Sequence, residues 1–264
     1  AVCQLIATLD VEIPSEFPGN MISTPSSVYW AMVNVYSEAI GFDMREYAGE
    51  KVRLEILSVA ENLQERLAGQ YEFPSRFGES GRALAVRKDN QIIGAWLDQT
   101  GRYGYSLTGE SIESITGLPV EDWLDELRSA GEGAAAKTVI PGTVIQAYFS
   151  AYADDDYGLA FGELSSRFML EHVFSNLDEH KLFNADFQLF PSGAKAEVIS
   201  VVEQDYPESD LVAGNRRLFR VRFNLELPAN VVSTYTEGMN ERFFCMVRTL
   251  DKLGWKIDAI ATGF

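Results

Sequence analysis

The sequence has few of the residues that most often form reactive or metal-binding sites. It contains two cysteines and two histidines in 264 residues. Cys3 and Cys245 cannot build a disulfide framework, and they lack the spacing of zinc ligands. His172 and His180 lie in EHVFSNLDEHK without an HExxH pattern or a third ligand, so we interpret that segment as a solvated loop or helix end. The sequence therefore predicts no metal and no cofactor.

Positive charge is also scarce. The chain has 22 lysines and arginines against 39 aspartates and glutamates, which gives a net charge of −17. Both halves of the chain are acidic, so the excess is not confined to a tail. Because an acidic surface repels phosphate backbones, nucleic acid is not an expected partner.

No apolar run approaches the length of a membrane span. The N-terminal AVCQLIATLDV fits either the tail of a signal or anchor segment or a short strand. The chain begins at Ala1 without a methionine, which predicts that a preceding segment was removed. Cys3 fits a lipid-bearing cysteine poorly, because Ala-Val precedes it. We expect contact with a membrane only through an absent N-terminal anchor.

The chain does have enough apolar residues for two folded domains, with 46% hydrophobic and 12% aromatic content. The stretch SAGEGAAAKT (129–138) has no bulky apolar residue, so it predicts a linker. We therefore predict a small α+β domain of unknown function over 1–128 and a second α+β domain over 139–264.

The first half alternates between helix and strand patterns. Apolar residues recur at helical spacing over about 27–40, and KVRLEILSV (51–59) alternates as a strand. Residues 82–98 read as a hairpin with Lys88-Asp89-Asn90 at its tip. Two short helices are predicted near 110–115 and 119–128.

The second half has helical patterns first and strand patterns afterwards. The helical patterns run from Pro141 to about Phe174. The strand-like runs that follow are roughly 195–206, 216–227, 241–250 and 254–262. Odd positions of the second run are apolar and even positions are polar, which predicts a sheet with one buried face behind the helices.

Three consecutive aspartates, Asp154, Asp155 and Asp156, interrupt the helical pattern in QAYFSAYADDDYGLAFGEL. A calcium loop needs acids at every second position and a glycine at the sixth, which this stretch lacks. Aspartate commonly caps helices and occupies turns. The triplet therefore predicts a corner between two helices.

This stretch also carries a family resemblance. PGTVIQAYFSAYADDDYGLAFGELSSRF resembles the opening of a nuclear transport factor 2-like domain of the SnoaL type. The resemblance implies a cone-shaped, bent antiparallel sheet covered by N-terminal helices, with a pocket inside. In the first half, VEIPSEF, GFDMREYAGEKV and IIGAWLD resemble an uncharacterised family of exported or lipid-anchored proteins of Gram-positive bacteria.

A pocket in such a cone is expected to be lined by the apolar helix stripe and the concave sheet face. The predicted ligand-binding residues are Tyr148, Tyr152, Phe168, Phe223, Cys245 and Trp255. Ordinary core packing explains the same residues, since apolar stripes at this spacing are chiefly packing. No histidine or acid has the inward parity, so we predict no catalytic residue.

A second candidate surface is the outward parity of the predicted strands. Its expected members are Arg220, Arg222, Arg242, Arg248 and Lys256. They could bind an anionic partner, or they could pair across strands with Glu197, Glu203 or Glu226.

We interpret the chain as a non-catalytic extracytoplasmic protein, either anchored at the cell surface or secreted. It would bind a small apolar ligand in the cone, or a protein or envelope partner. Two alternatives stay open: a SnoaL-like pocket enzyme of isomerase, dehydratase or hydrolase type, and the sensory ectodomain of a larger membrane-anchored protein.

Overall fold

The computed structural model describes residues 3–15, 24–62, 80–98, 104–132, 140–175, 193–205, 215–229, 235–249 and 254–263. These residues divide into two compact units. Of the described residues, unit 1 contains those in 3–15, 26–123 and 172–175, and unit 2 contains 24–25 and those in 124–171 and 193–263. Each unit contains one four-stranded antiparallel sheet whose strands follow one another in chain order. The prediction of an α+β protein with two sheet-containing regions is confirmed at this level.

The sheet of unit 1 consists of β1 (Cys3–Glu12), β2 (Lys51–Asn62), β3 (Ser80–Lys88) and β4 (Gln91–Asp98). The N-terminal apolar segment is thus a strand, which pairs antiparallel with β2. The predicted strand and hairpin are confirmed. Asp89 and Asn90 at the hairpin tip have φ of 49° and 66°, as a tight two-residue turn between twisted strands requires.

The helices of the first half are α1 (Pro25–Glu38), a 3₁₀ turn (Met44–Tyr47), α2 (Ile112–Thr116) and α3 (Val120–Glu132). Helix α3 contains the division between the units and continues four residues beyond its predicted end. Residues 129–132 of the predicted linker are therefore helical, and 133–138 lie outside the described residues.

Helix α1 is joined to its sheet by buried hydrogen bonds as well as by apolar packing. The Ser37 hydroxyl donates to the Val33 carbonyl at 2.8 Å and accepts from the Ala95 N–H of β4 at 3.1 Å. The Asn34 side-chain oxygen accepts from the Met44 N–H at 2.8 Å. The bond from Ala95 fixes where the helix lies along β4, and the bond from Met44 joins the helix to the 3₁₀ turn, because each needs one particular partner.

The helices of the second half are α4 (Pro141–Ala153), α5 (Tyr157–Gly162) and α6 (Ser166–Ser175). Unit 2 contains the rest of α3, all of α4 and α5, and α6 as far as Glu171. Its strands are β5 (Lys195–Gln204), β6 (Arg216–Glu226), β7 (Gly238–Thr249) and β8 (Gly254–Ala261). The order of helices before strands and the four strand positions are confirmed.

The three aspartates form the corner between α4 and α5, as predicted. Asp154 ends α4, and the Asp156 carboxylate accepts from the Leu159 N–H at 2.9 Å as the N-cap of α5. Asp155 has φ of 56°, a conformation that aspartate tolerates better than most residues. The Tyr157 hydroxyl donates to Asp155 at 2.8 Å. Burial, followed by this hydrogen bond, raises the pKa of Tyr157 to about 12.

Strand β8 departs from the predicted alternation of Trp255, Ile257, Ala259 and Ala261 on one side. Ile257 pairs with Met246 and Ala259 pairs with Cys245, although Met246 and Cys245 are adjacent. Asp258 is therefore an extra residue at a β-bulge, and the bulge changes which face Ala259 occupies.

Lys256 was predicted to share the outward face with the arginines, and this prediction is wrong; Asp258, two residues further on, is buried as well. Their exposed fractions are 6% and 3%. The connection between α5 and α6 pairs with the edge of β8, where the Ser165 N–H donates to the Ile257 carbonyl at 2.8 Å. Lys256 Nζ donates to the Gly162 carbonyl at 2.7 Å, so the cation is bound beneath this connection.

Asp258 joins this connection to β8 through charged hydrogen bonds. It accepts from the Ser165 hydroxyl at 2.7 Å and from Arg167 at 2.7 and 3.1 Å. Arg128 of α3 donates to the carbonyls of Gly162 and Leu164 at 3.0 and 2.8 Å. These groups satisfy one another, so we assign the cluster a structural role.

Candidate functional site: the inner face of the second sheet

The ladder between β6 and β7 defines which side chains share a face. Directly opposed residues of an antiparallel pair lie on the same side of the sheet. Phe219 pairs with Phe244, and Val221 pairs with Arg242. Phe149 of α4 contacts Phe223 and Phe244, with ring centroids 5.0 and 5.7 Å apart. We call the face that carries these residues, and that α4 contacts, the inner face.

Three of the predicted ligand residues belong to one buried aromatic cluster at this face. The Tyr148 ring lies 5.1 Å from that of Tyr152 and 6.3 Å from that of Phe244. Tyr148, Tyr152 and Phe223 are buried, and Phe168 is partly buried. The helical stripe of α4 and the alternation of β6 brought these positions together as the sequence indicated.

Cys245 and Trp255 do not join this cluster. Cys245 is buried, but it pairs with Leu218, whose parity places it on the face opposite Phe219. The prediction that Cys245 lines the inner face is therefore wrong. Trp255 has inner-face parity but pairs with Arg248, and the Arg217 guanidinium lies 5.8 Å from its ring. Within the described part of unit 2, no ring contact joins Trp255 to the tyrosines.

The hydroxyl of Tyr148 is the unusual polar group of the cluster. It is fully buried and has no hydrogen-bond partner among the residues that the structure describes. Burial raises its pKa well above the ordinary value, and the nearby phenols of Tyr152 and Tyr235 raise it further. The Tyr152 hydroxyl is near enough to contribute to this rise, but its geometry is not that of a hydrogen bond. A buried donor of this kind costs free energy unless something accepts its hydrogen bond.

Arg242 is the cation of the inner face that adjoins the aromatic cluster. Its guanidinium lies 4.8 Å from the centre of the Tyr235 ring, and one N–H donates to the Glu241 carbonyl at 2.8 Å. None of the ion pairs between described side chains of unit 2 includes Arg242. Burial raises the pKa of Tyr235, while the charge of Arg242 and its hydrogen bond oppose that rise. Since Tyr235 also contacts Phe223 at 6.3 Å, Arg242 adjoins the aromatic cluster.

The five cations predicted to share the outward face are in fact divided. Arg220 and Arg222 pair with Phe243 and Glu241, whereas Arg242 and Arg248 have the opposite parity and Lys256 is buried. The prediction of one cationic surface is therefore wrong.

The acids that neutralise these arginines also differ in part from the expected ones. Arg222 Nε donates to Glu241 at 2.6 Å, and this hydrogen bond lowers the pKa of Glu241. Glu203, one of the predicted acids, lies 3.2 Å from Arg217.

The sequence patterns did not identify Tyr235 or the inward position of Arg242. Residues 243–247 read FFCMV and are apolar at both parities, so alternation could not show which side Arg242 occupies. The ladder to the clearly alternating β6 supplies that information.

Neither metal ligands nor a membrane-spanning helix was found among the described residues. No group of three histidines, cysteines or acids there could hold a metal ion. His172 lies in α6, and His180 is outside the described residues. No helix in those residues combines the length and apolarity needed to cross a membrane.

Unit 1 contains a small cavity. It is lined by Tyr29, Met32, Val33, Tyr36, Trp96, Asp98 and Gly104. Its free space is about 10 Å³, close to what one water molecule needs. Trp96 Nε1 is buried there without a partner among the described residues. We interpret this cavity as a site for a structural water rather than for an organic ligand.

The comparisons with known proteins match the two halves of the chain to two different families, whose ranges lie on either side of Trp123. Residues 1–97 match a family described as a domain of unknown function (DUF4830). Residues 142–260 match a second family with the same kind of description (DUF4829). No curated protein and no solved structure matches the chain. Each unit is thus similar to a family defined by sequence, and neither family supplies an activity.

Proposed function

We propose that the chain is a non-catalytic extracytoplasmic protein, and that its second unit binds a small, mainly apolar ligand against the inner face. The observation that carries this proposal is the Tyr148 hydroxyl, which is fully buried without a partner in the described residues. A ligand that accepts this hydrogen bond would remove the cost of the isolated donor.

The proposal includes the shape that a nuclear transport factor 2-like domain implies, a bent sheet forming a cone with helix α4 against its concave side. Phe149 of α4 contacts the inner face at Phe223 and Phe244. Register shifts occur at Ile199 of β5 and at Asp258 of β8. Such irregularities bend strands, so they favour a curved sheet.

Binding agrees better with the described chemistry than catalysis does. A general base must reach its substrate directly or through one water. Asp258 is committed to Ser165 and Arg167, and Asp155 accepts from Tyr157 at the helix corner. Neither of these two carboxylates is therefore free to act as the base that the enzyme alternative needs. A protein or envelope partner on the outer face is also less favoured, because Glu241 already neutralises Arg222.

The uncharged dye phenylnaphthylamine, whose fluorescence rises in apolar sites, tests the proposal on the full chain. We expect saturable binding with energy transfer from Trp255, which has the parity of the inner face. The Trp255→Phe variant should bind the dye but lose that part of the transfer, whereas Trp30→Phe in unit 1 should keep it. If the dye does not bind saturably, the inner face is ordinary core and the proposed function is wrong.

A further inference from the structure

We propose that the inner face takes a ligand with an apolar body and one anionic group, such as an organic carboxylate or sulfonate, and that Arg242 holds the anionic group. The inference rests on the proposed ligand-binding function and adds the chemical class of the ligand. It depends on the position of Arg242, which the ladder fixes opposite Val221.

Among the described residues, Arg242 differs from Arg167 and Arg222 in forming no ion pair with an acid. Arg167 pairs with Asp258, and Arg222 pairs with Glu241. The side chain of Glu241 points to the other face, because Glu241 pairs with Arg222 across the ladder. Arg242 therefore keeps a half-buried positive charge, stacked on Tyr235 and bonded to one carbonyl. A guanidinium has a planar set of donors that matches a carboxylate or sulfonate.

The tyrosines supply the second, independent observation. The Tyr148 hydroxyl is a buried donor without a hydrogen bond of full geometry among the described residues, and its ring contacts Phe244. Phe244 and Arg242 are two residues apart on the same face of β7, which corresponds to roughly 7 Å along the strand. A phenolic donor and a guanidinium thus adjoin the same aromatic cluster. An anionic group at Arg242 would bring the apolar body to the edge of this cluster, next to Tyr235.

The overall negative charge of the protein makes a preference for anionic ligands a specific sign of a local cation. At a net charge of −17, the protein repels small anions in general. A preference for an anionic over a neutral ligand of the same shape must therefore come from a local cation. Among the described residues that contact the aromatic cluster, Arg242 is that cation.

Two dyes with the same aromatic body test the inference on the full chain. Anilinonaphthalene sulfonate is anionic, and phenylnaphthylamine is uncharged. At physiological ionic strength we expect the wild type to bind the sulfonate about tenfold more tightly, as one charge-assisted contact provides. Arg242→Gln should remove this preference and keep the affinity for the uncharged dye. Arg222→Gln, on the outer face, should leave the preference intact.

Each outcome decides between the two proposals. Loss of the preference in Arg242→Gln alone supports the role of Arg242. Equal affinities in the wild type, or a preference that survives Arg242→Gln, overturn that role and leave apolar binding standing. If neither dye binds, the proposed function itself fails and the inference fails with it. Should Arg242→Gln not fold, Arg242→Met keeps the stem that packs on Tyr235 and gives the same comparison.

Discussion

The two units share a four-stranded antiparallel meander but satisfy their buried hydroxyls differently. In unit 1 the hydroxyl of Ser37 both donates and accepts, and it bonds helix α1 to the Ala95 N–H of the sheet. In unit 2 the hydroxyl of Tyr148, on the helix that contacts the sheet, bonds to nothing among the described residues. At Ser37 the contact of unit 1 is completed by its own atoms, whereas at Tyr148 unit 2 has a buried donor that we propose a ligand satisfies.

Unit 1 also contains a buried donor, the indole N–H of Trp96, that bonds to no described residue. Trp96 Nε1 lies beside a cavity with space for about one water, and a water would satisfy it. Gly104 allows the backbone beside this cavity to approach Leu97 closely, since a β-carbon there would lie 2.7 Å from the Leu97 carbonyl oxygen. The donor of unit 2 differs because a cation without an acidic partner adjoins its aromatic surroundings.

The largest expected effect tests whether buried polar groups elsewhere in unit 2 are satisfied by the chain itself, as Ser37 is in unit 1. Replacing Asp258 by alanine leaves Arg167 and the Ser165 hydroxyl without their buried acceptor. We expect unit 2 to lose roughly 3 kcal/mol of unfolding free energy, the low end for a broken buried pair. Urea unfolding followed by Trp255 fluorescence measures the loss.

Glu171→Ala is the matched control, because Glu171 pairs with the same arginine at the surface. It should cost about 0.5 kcal/mol or less. Equal losses for the two variants would show that the Asp258 cluster does not hold the α5–α6 connection against β8.

The next effect tests the hydrogen bond between helix α1 and strand β4 in unit 1. In Ser37→Ala the buried Ala95 N–H loses its acceptor. An unsatisfied buried donor costs about 1–3 kcal/mol, so we expect a loss of that size in the unfolding of unit 1. Trp96 and Trp30, both buried in unit 1, report the transition by fluorescence. A stability equal to the wild type would mean that the hydroxyl contributes nothing and that the contrast with unit 2 is false.

A smaller effect concerns the corner that positions α4 and its tyrosines. Asp156→Ala removes the acceptor for the Leu159 N–H and should cost about 0.5–2 kcal/mol, the usual range for a lost N-cap. Asp154→Ala is the control, since Asp154 ends α4 and the side-chain cap of α5 comes from Asp156. Thermal unfolding of both variants checks this, and a larger loss for Asp154→Ala would contradict the assignment of the cap.

Sequence patterns predicted unit 2 well wherever a single periodicity dominates. Tyr148 and Tyr152 follow the helical stripe, and Val221 and Phe223 follow a clean alternation, so their burial was readable. The Asp156 cap was readable because few structures other than a helix corner suit three adjacent aspartates.

The remaining features depend on pairing between distant segments. The bulge at Asp258 and the pairing of residues 163–165 with β8 reverse the expected exposure of Asp258 and Lys256. No local pattern encodes that contact, because its two sides are more than 90 residues apart. The inward position of Arg242 was hidden for a similar reason: only the register with β6 reveals it.

The smallest expected effect is a rise in the free energy of unfolding, and it tests whether the two units differ in how their buried hydroxyls are satisfied. Tyr148→Phe removes only a hydroxyl and keeps the ring that packs on Tyr152 and Phe244. Because the hydroxyl has no partner in the described residues, its removal should raise the unfolding free energy of the ligand-free chain by up to about 1 kcal/mol. Ser37→Ala, the deletion of a bonded hydroxyl, is the reference and should lower the free energy of unfolding.

Urea unfolding of both variants with and without anilinonaphthalene sulfonate completes the test. If the hydroxyl serves a ligand, the dye should stabilise the wild type more than Tyr148→Phe, so that the advantage of the variant shrinks when dye is present. A variant that is less stable than the wild type without dye would show that the Tyr148 hydroxyl is bonded within the protein. The two units would then both satisfy these buried hydroxyls with their own atoms.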